Sequence, residues 1–512
     1  MKLKMYVRFL VVLLLFAMAL AAVGCGQGKK PQPATGDTSA QETQSAEPPA
    51  DDETDLPSDL RFNDPEISFL IGEPSANKGG TFTERSIMLE DFDPDAKVDY
   101  AVYSRNMQVE DQLNVTILCR AINDAIIKNT LMNDLLSGES AFDILGGYQA
   151  WDIALAQQGI VMNLNKLGEY GADYIGFEKP YWSQQYDNAL AYKGSMYWIT
   201  GDLALRYLGG MYCTFVNLQL YNDVMLTKHG SIYDLVDDGA WTLDTLEEMS
   251  REAYMDLDEN ESGGATGTSA GDRLGLVVEK NDMLDGMAVG AGVVWSTTDS
   301  EGNVQIAITD TALNQAAVEF AQKMYRMFYE GDGAYYVIPH NHSAKAFEIF
   351  NTGRTLFVHD KVYQAENYLG EFENYGIIPS PKLNAAQENY RTGIHDGCTL
   401  FGLMATGDTI PASAATLELM AALSYKTVRK VYYDETLHYK YSRDPDSSRM
   451  VDLIHDSVYI DFAFAWGNSL NSVHNIFRDT VTSQSTATTF KKQKNVIGTL
   501  LEDLVAKLEQ NA

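Results

Sequence analysis

The chain has few cysteines, few tryptophans and few positive charges for its 512 residues. Its four cysteines are widely spaced and give neither a disulfide framework nor a zinc-type pair. Cys119, Cys213 and Cys398 are expected to be three buried thiols, with a single disulfide as the alternative. Lysine and arginine number 38 against 71 aspartates and glutamates, a net charge of −33. Such a surface repels phosphate backbones, and no nucleic-acid partner is expected.

Common catalytic patterns are missing as well. There is no Gly-rich phosphate loop ending in Lys-Ser/Thr, no His-Glu-x-x-His and no Gly-x-Ser-x-Gly. An enzyme is therefore not the expectation, although abundant carboxylates leave a glycosidase pair open. After the first 25 residues no hydrophobic run reaches membrane-spanning length, so no later segment is expected to cross a bilayer.

The N-terminus carries a targeting signal. Basic residues precede an apolar run, Phe9–Ala21, that closes with Ala22-Val23-Gly24-Cys25. The run is short for a permanent membrane helix and predicts a signal peptide over residues 1–24. Small residues before a cysteine resemble a bacterial lipobox, in which the thiol of Cys25 is lipidated. A plain signal peptide with an incidental cysteine is the alternative.

Residues 25–60 are predicted to form a disordered tether. They contain no aromatic residue and many Pro, Ser, Thr, Gln and acidic side chains. Such a segment cannot bury enough apolar surface to offset its ordering entropy. Composition alone fits an arbitrary disordered tail equally well, and the position directly after Cys25 favours a spacer between a membrane anchor and a folded domain.

The rest of the chain alternates between strand-like and helical segments. Gly80–Thr83, Val115–Leu118 and Phe142–Leu145 are predicted strands, with helices through Tyr100–Met107 and over Ala125–Leu136 between them. This β-α-β-α-β order predicts an α/β layer fold with a largely parallel sheet. The 452 residues after the tether exceed one ordinary core and indicate two lobes.

Further helices and one hairpin follow from local patterns. Thr242 can cap a helix, because Asp244, Glu247 and Glu248 then lie near its N-terminal end. Apolar residues recur at helical spacing from Leu313 to Met327 and from Val496 to Leu508, which predicts two amphipathic helices. Ser296–Asn303 is the predicted turn region of a hairpin.

Two stretches have the spacing of metal sites. His340 and His342 could bind a transition metal, although a loop with two solvated histidines explains them as well. The other stretch has oxygen side chains at alternate positions, as calcium prefers, but Glu261 stands where a glycine is expected. A calcium site and an acidic surface loop both stay open for Asp256, Asp258, Asn260 and Asp272.

Aromatic residues lie where predicted strands end. The chain has 29 tyrosines, and Tyr148, Trp151, Tyr197, Trp198 and Trp295 stand near strand ends and Gly-rich loops. The C–H face of a sugar ring packs on a flat aromatic face, and nearby polar groups hydrogen-bond its hydroxyls. Each aromatic residue taken alone is more often a core residue. Their clustering favours a carbohydrate site.

The order of several short motifs resembles one protein family. The motifs are Phe142-Asp143-Ile144, Thr200-Gly201-Asp202, Phe215-Val216-Asn217, Tyr233–Val236 with Trp241-Thr242, Phe350–Arg354, Tyr375–Lys382 with Gln387 and Tyr390, and Arg443-Asp444 with Ser447, Met450 and Ile454. Behind a lipobox, this order is similar to that of the extracellular solute-binding proteins of ABC importers, family 1, which are maltose-binding-protein-like lipoproteins of Gram-positive bacteria.

The resemblance implies an α/β, two-lobed, periplasmic-binding-protein-like fold of type II, with the ligand in the cleft between the lobes. The chain should cross between lobes near Tyr207–Cys213, His395–Leu400 and His438–Arg443. The N-lobe would then comprise 61–210 plus 400–440, and the C-lobe 211–399 plus 441–512. A bound ligand would shift a hinge from open to closed.

The resemblance also implies a site without catalytic residues and without a cofactor other than the possible calcium. In the stretch after Phe350 the family's usual sugar-stacking tryptophan is absent. The ligand-binding residues expected by motif position are Tyr148, Gln149, Trp151, Trp198, Asp202, Trp295, His359, Asp360, Tyr363, His395, Asp396 and Trp466.

The implied function is that of a monomeric receptor, lipid-anchored through Cys25 on the outer face of the cytoplasmic membrane. It would capture a polar solute, foremost an oligosaccharide, and deliver it to ABC permease subunits. Peptides and polyols stay open as ligands. The alternative functions are a sensory or adhesive lipoprotein and a surface glycan hydrolase, which needs two cleft carboxylates about 5–9.5 Å apart.

Overall fold

A computed structural model describes most of the chain after the tether. The described residues are 53–73, 82–87, 95–137, 141–259, 268–279, 282–310, 312–337, 343–405, 409–438 and 444–511. Cys25 and its signal peptide, most of the tether, and His340, His342 and Asn260 lie outside them. Within the described residues, no helix combines the length and the apolar character that crossing a membrane requires.

Eleven β-strands are found in the part of the chain that the structure describes. They are β1 Glu66–Glu73, β2 Thr116–Asn123, β3 Ile144–Tyr148, β4 Tyr212–Asn217, β5 Leu274–Glu279, β6 Ser296–Thr298, β7 Val304–Ile306, β8 Ala334–Val337, β9 Thr355–Lys361, β10 Tyr375–Ile378 and β11 Thr399–Leu403.

The strands form two main sheets. The first has the order β2-β1-β3-β11, with β1 parallel to β2 and β3, and β11 antiparallel to β3. The second has the order β10-β4-β9-β5-β8, in which β4 is antiparallel to its neighbours. The four-stranded sheet and the segments packed on it are called the first lobe. The five-stranded sheet and the segments packed on it are called the second lobe. Strands β6 and β7 form the predicted hairpin.

Helices cover the sheets. The α-helices are Phe82–Ile87, Lys97–Leu113, Asp124–Ser137, Gln149–Asp152, Gln184–Leu190, Leu205–Gly209, Leu218–Val224, Leu226–His229, Ile232–Asp237, Leu243–Ala253, Met283–Gly290, Gln315–Tyr329, Ser343–Phe350, Gln364–Tyr368, Ile410–Leu423, Arg429–Thr436, Pro445–Asp456, Phe462–Ala465, Ile476–Ser483 and Thr486–Asn511. Short 3-10 helices are Ile153–Gln158, Leu164–Tyr170, Gly467–Leu470 and Val473–Asn475, and Ser424–Val428 is a short π-helix.

The central strands are covered on both of their faces. Every residue of β4, β5 and β9 is buried. Such strands read as continuous apolar runs rather than as an alternating pattern. The edge strand β2 is only partly buried, and Cys119 on it is half-exposed, whereas Cys213 and Cys398 are the expected buried thiols.

Two chain segments pass between the lobes as paired, extended chain. Met211, just before β4, bridges to Ile394, and the backbone N–H of His395 donates to Gly210 O at 3.0 Å. The N–H of Val362, after β9, donates to Met211 O. No loose linker separates the lobes here. Most of the third predicted crossing, His438–Arg443, lies outside the described residues.

Most predicted elements are confirmed, and the first strand is a correction. The helices predicted over Tyr100–Met107, Ala125–Leu136 and after Thr242 are present, and the Thr242 hydroxyl accepts the N–H of Thr245. The strand predicted at Gly80–Thr83 is wrong where it is described, because Phe82 begins a helix. The true first strand, β1, carries the apolar run around Phe69 that pairs with both β2 and β3.

Candidate ligand-binding site

The candidate site lies where the ends of β3 and β9 meet the crossing segment before β11. Tyr148, the last residue of β3, pairs with Thr399. The N–H of Gln149 then donates to Cys398 O, and that of Ala150 to Asp396 O. On the other side, the N–H of Tyr363, two residues after β9, donates to Gly209 O. Ligands of open α/β sheets bind beyond the carboxyl ends of the strands, and both lobes contribute such an end here.

An aromatic wall stands on the first lobe. A helical turn directly after β3 places Trp151 beside Tyr148, with ring centroids 4.8 Å apart and planes 21° from parallel. The N–H of Tyr148 donates to Asp152 Oδ2, which holds the turn. A side chain at Gly147 would meet Asp152 Cβ at 2.7 Å, so glycine is required there.

The outer part of this wall is open. Trp151 is 55% exposed, an unusual fraction for a tryptophan, while the inner ring of Tyr148 is covered by the Arg206 guanidinium at 5.3 Å. Burial, and after it the Asp396 carboxylate, raises the pKa of Tyr148, so its hydroxyl stays protonated and can donate a hydrogen bond. The wall therefore combines an exposed apolar ring with polar groups at its edge.

A buried ion pair forms the floor of the site on the second lobe. Asp282 accepts from Lys361 Nζ at 2.6 Å and from the Tyr212 hydroxyl at 2.9 Å. Burial alone would raise the pKa of Asp282, but the Lys361 ammonium and His395 outweigh burial and hold that pKa well below its usual range. Lys361 Nζ also lies 3.4 Å from Asp360 Oδ1, so this one ammonium group is within ion-pair distance of two carboxyl groups.

His395 joins the floor to the rim of the site. The N–H of Gly397 donates to His395 Nδ1 at 2.9 Å, which fixes the neutral tautomer with its proton on Nε2. That Nε2 lies 3.3 Å from Asp282. Burial lowers the pKa of His395 in spite of the nearby carboxylates, so the ring is neutral at pH 7. His395 is 23% exposed and can meet a ligand.

Asp396 is the accessible acceptor of the site. His474 Nε2 lies 3.2 Å from Asp396 Oδ2, and the carboxylate keeps about a fifth of its surface exposed. Burial would raise the pKa of Asp396, yet His395 and His474 hold it well below its usual range. Asp396 is thus ionised and offers oxygen atoms to ligand hydroxyls.

Carboxyls with raised pKa values are sealed from the site. Burial raises the pKa of Asp285 to about 6 even against the Arg478 guanidinium, and burial also raises the pKa of Asp360. Both residues are almost fully buried. A glycosidase acid must contact its substrate, so neither carboxyl is placed for that role. The site offers fixed donors and acceptors.

Gln149 is close to the site but engaged by the protein. It is buried, its amide donates to Ala465 O at 3.1 Å, and its oxygen accepts from the Tyr186 hydroxyl. The amide of Asn468 also donates to Ala150 O. The segment from Phe462 to Asn475 is therefore held directly against the first lobe beside the aromatic wall.

Several predicted site residues are placed elsewhere. Trp198, Trp295 and Trp466 are fully buried; the first two donate their indole N–H to Ile153 O and Val473 O, and Trp466 stacks on Phe462. Direct ligand contact by these three stays a prediction that this packing does not support, because no ring face is exposed.

His359 and Asp202 also lie away from the exposed wall. His359 stacks on Tyr212 with its Nδ1 3.2 Å from the Thr214 hydroxyl, and burial lowers its pKa to about 3. Asp202 lies 3.2 Å from Arg429 and 2.9 Å from His455 Nε2. The structure therefore brings together Tyr148, Gln149, Trp151, Tyr363, His395 and Asp396, while Asp360 is buried beside Lys361.

Four residues of the site were missed by sequence reasoning. Asp282 and Lys361 stand at strand ends, like the predicted residues, and that position was the available signal. Arg206 and His474 approach from segments far away in sequence, and no local pattern marks them.

The possible calcium loop is held by its own backbone. Asp256, Asp258 and Asp272 place carboxylate oxygens within 4.8 Å of one another. Asp272 is buried, and its two oxygens accept the N–H groups of Leu257 and Ser269 at 3.0 and 2.8 Å. Asp272 therefore fixes the backbone of this loop on two sides, and a calcium ion at these carboxylates stays a prediction.

Comparisons with known proteins give structural but not sequence matches. No family model matches the chain, and no curated protein matches it by sequence. An ABC substrate-binding protein of Listeria monocytogenes in complex with cycloalternan is 12% identical, with a TM-score of 0.52 over 86% of this chain and 100% of the other. A cyclo/maltodextrin-binding protein complexed with maltotetraose is 12% identical, with a TM-score of 0.53 over 86% and 97%.

The chain has the two-lobed, type II binding-protein fold. A third match, the maltose-binding protein MalE of Listeria monocytogenes in complex with maltose, is 15% identical with a TM-score of 0.51 over 87% of this chain and 99% of the other. At such identities the likeness concerns the fold, and it extends over nearly the whole length of each neighbour. The fold class predicted from the sequence is confirmed.

Proposed function

We propose that the chain is a solute-binding protein that captures an oligosaccharide in the cleft between its lobes and delivers it to an ABC permease. The exposed Tyr148–Trp151 wall beside Asp396 and His395 carries this proposal. A pyranose ring presents C–H groups to an aromatic face and hydroxyls to polar neighbours, which is the chemistry of this wall and its rim.

The charges of the site favour a neutral ligand. Asp282 is paired with Lys361 and Asp285 with Arg478, and the Asp396 carboxylate accepts a hydrogen bond from His474. Because the two charges of each ion pair compensate each other, a ligand need not bring a charge into the site. The structural neighbours named above hold cycloalternan, maltotetraose and maltose, which are neutral sugars.

The same proposal includes the place of action. The apolar N-terminal run and Cys25 support a lipid anchor on the outer face of the cytoplasmic membrane, with residues 25–60 as the tether. Captured sugar would then be released to a permease in the same membrane. A sensory or adhesive role for the same fold predicts sugar binding without uptake. Loss of sugar uptake in cells that lack this chain would support the transport role, and unchanged uptake would support the sensory or adhesive role.

The test is binding of maltotetraose and cycloalternan by titration calorimetry. Trp151→Ala should weaken binding about tenfold or more, because a stacked aromatic contact contributes about 1.5 kcal/mol. Tyr170→Ala is the matched control, since Tyr170 is 50% exposed on a 3-10 turn of the first lobe. Equal binding by both variants, or hydrolysis of either sugar, would contradict the proposal.

A further inference from the structure

The C-terminal helix, Thr486–Asn511, contacts both lobes. Its 26 residues give a rod of about 39 Å at a rise of 1.5 Å per residue. Its start packs on second-lobe helices and its end on first-lobe segments, and it is a separate element from the crossing segments.

The first anchor lies on the second lobe. Phe490 packs edge-on against Phe477 at 6.4 Å, and Phe477 in turn contacts Phe320 and Trp295. Lys494 Nζ lies 3.3 Å from Asp310 Oδ2. The helix that carries Phe320 continues to Phe328, which stacks on Tyr336 of β8. The start of the C-terminal helix is thereby tied to the five-stranded sheet.

The second anchor lies on the first lobe. The Tyr197 hydroxyl donates to Leu508 O at 3.2 Å, the Asn511 amide to Ala156 O at 3.1 Å, and Lys193 Nζ lies 2.9 Å from Glu509. Two residues after Tyr197, Ile199 bridges to Phe401 of β11. The last two turns of the helix are thereby tied to the four-stranded sheet.

Gly498 lies between the two anchors. A Cβ added there would meet no atom within 4 Å, so packing does not require glycine. Glycine inside a helix lowers its stability relative to alanine because it gains more backbone freedom when the helix opens. The one glycine of this helix thus lies between its contacts with the second lobe and its contacts with the first lobe.

We infer that the C-terminal helix is an elastic connection between the two lobes and that it bends at Gly498. We call this helix the strap. When the lobes separate, the strap either bends at Gly498 or releases its last turns from Tyr197 and Ala156. The strap therefore favours the lobe separation seen here and sets how far the cleft opens. This inference rests on the cleft opening of the proposed function.

The test measures the separation of the lobes in the absence of sugar. Nitroxide labels at Lys128→Cys on the first lobe and Gln322→Cys on the second occupy exposed helix positions. Cys25 and Cys119 are replaced by serine, while Cys213 and Cys398 are buried and stay unlabelled. Pulsed electron paramagnetic resonance then gives the distribution of distances between the labels.

Gly498→Ala should narrow this distribution around the shorter distances, because a stiffer strap resists bending. Tyr197→Phe, which removes the bond to Leu508 O and keeps the ring, should broaden the distribution toward longer distances. Gly168→Ala is the matched control: Gly168 lies in a 3-10 turn outside the strap and an added Cβ there also meets nothing within 4 Å.

The inference is overturned if Gly498→Ala and Tyr197→Phe both give the same distribution of label distances as the unmodified chain. Because no sugar is present, this result is independent of the ligand. Failure to bind maltotetraose with a normal response of the strap variants would instead count against the proposed function alone.

Discussion

Lys361 holds the floor of the site together as a single buried cation. It lies 2.6 Å from Asp282 and 3.4 Å from Asp360, and all three side chains have almost no exposed surface. A buried charge that loses its partner keeps its desolvation penalty without compensation. The ammonium is therefore the residue on which the charge balance of this region depends.

We expect Lys361→Met to lower the free energy of unfolding by about 3–5 kcal/mol, the range for a broken buried ion pair. Urea unfolding followed by circular dichroism measures the change. Lys345→Met removes a lysine from an exposed pair with Glu348 and should cost less than about 1 kcal/mol. A similar small cost for both variants would show that Asp282 finds another partner.

Adding Asp282→Asn to Lys361→Met should recover part of the lost stability, because the uncompensated carboxylate is then gone. The same urea experiment gives the coupling free energy between the two residues. Strictly additive losses would mean that the two side chains act independently, against the 2.6 Å contact.

At the same scale, the sequence shows which residue types can form the site but not which of them meet. Tyr148 and Trp151 could be predicted because they follow a buried strand and a Gly-Gly pair. His474 and Arg206 could not, because their proximity to Asp396 and Tyr148 depends on how distant segments pack. Trp198 and Trp295 satisfy the same aromatic pattern as Trp151 and are core residues.

At the scale of elements, the helix Pro445–Asp456 connects to the first lobe through its last turn. His455 Nε2 lies 2.9 Å from Asp202, and Arg429 reaches the other oxygen of the same carboxylate at 3.2 Å. Burial would lower the pKa of His455, but Asp202 outweighs burial and raises that pKa to about 9. Tyr207, Tyr433 and Asp456 also face this pair.

The raised pKa of His455 implies a stability that falls at alkaline pH. The pKa in the unfolded chain is about 6.5, so the contribution is complete below about pH 6.5 and is lost as the pH rises through about 9. The full loss is about 3 kcal/mol. Urea unfolding should show this decline in the unmodified chain and a flatter profile in His455→Gln; parallel profiles would contradict it.

Helices were predicted better than strands, for a physical reason. A helical stripe repeats several times over Leu313–Met327 and Val496–Leu508, and each repeat strengthens the pattern. The strand β1 is a short apolar run directly after the tether, and nothing in its own sequence separates a strand from a short helix. Its assignment depends on pairing with Thr116–Asn123 and Ile144–Tyr148.

For the whole molecule, the net charge of −33 acts against the compact state. Raising the ionic strength from about 0.01 M to about 0.15 M shortens the screening length from about 30 Å to about 8 Å. We expect the melting temperature to rise over this range with sodium chloride. A melting temperature that falls instead would show that attractive pairs such as Lys228 with Glu248 outweigh the general repulsion.

The burial of the tryptophans has a spectroscopic consequence. Of the six indoles, Trp182, Trp198, Trp241, Trp295 and Trp466 are sealed in the core, and Trp151 alone faces solvent. The emission of the folded chain is then a blue-shifted background from five residues plus one red-shifted component. Acrylamide should quench that one component, and a sugar seated on the wall should shield it, so the protein carries its own optical reporter of occupancy.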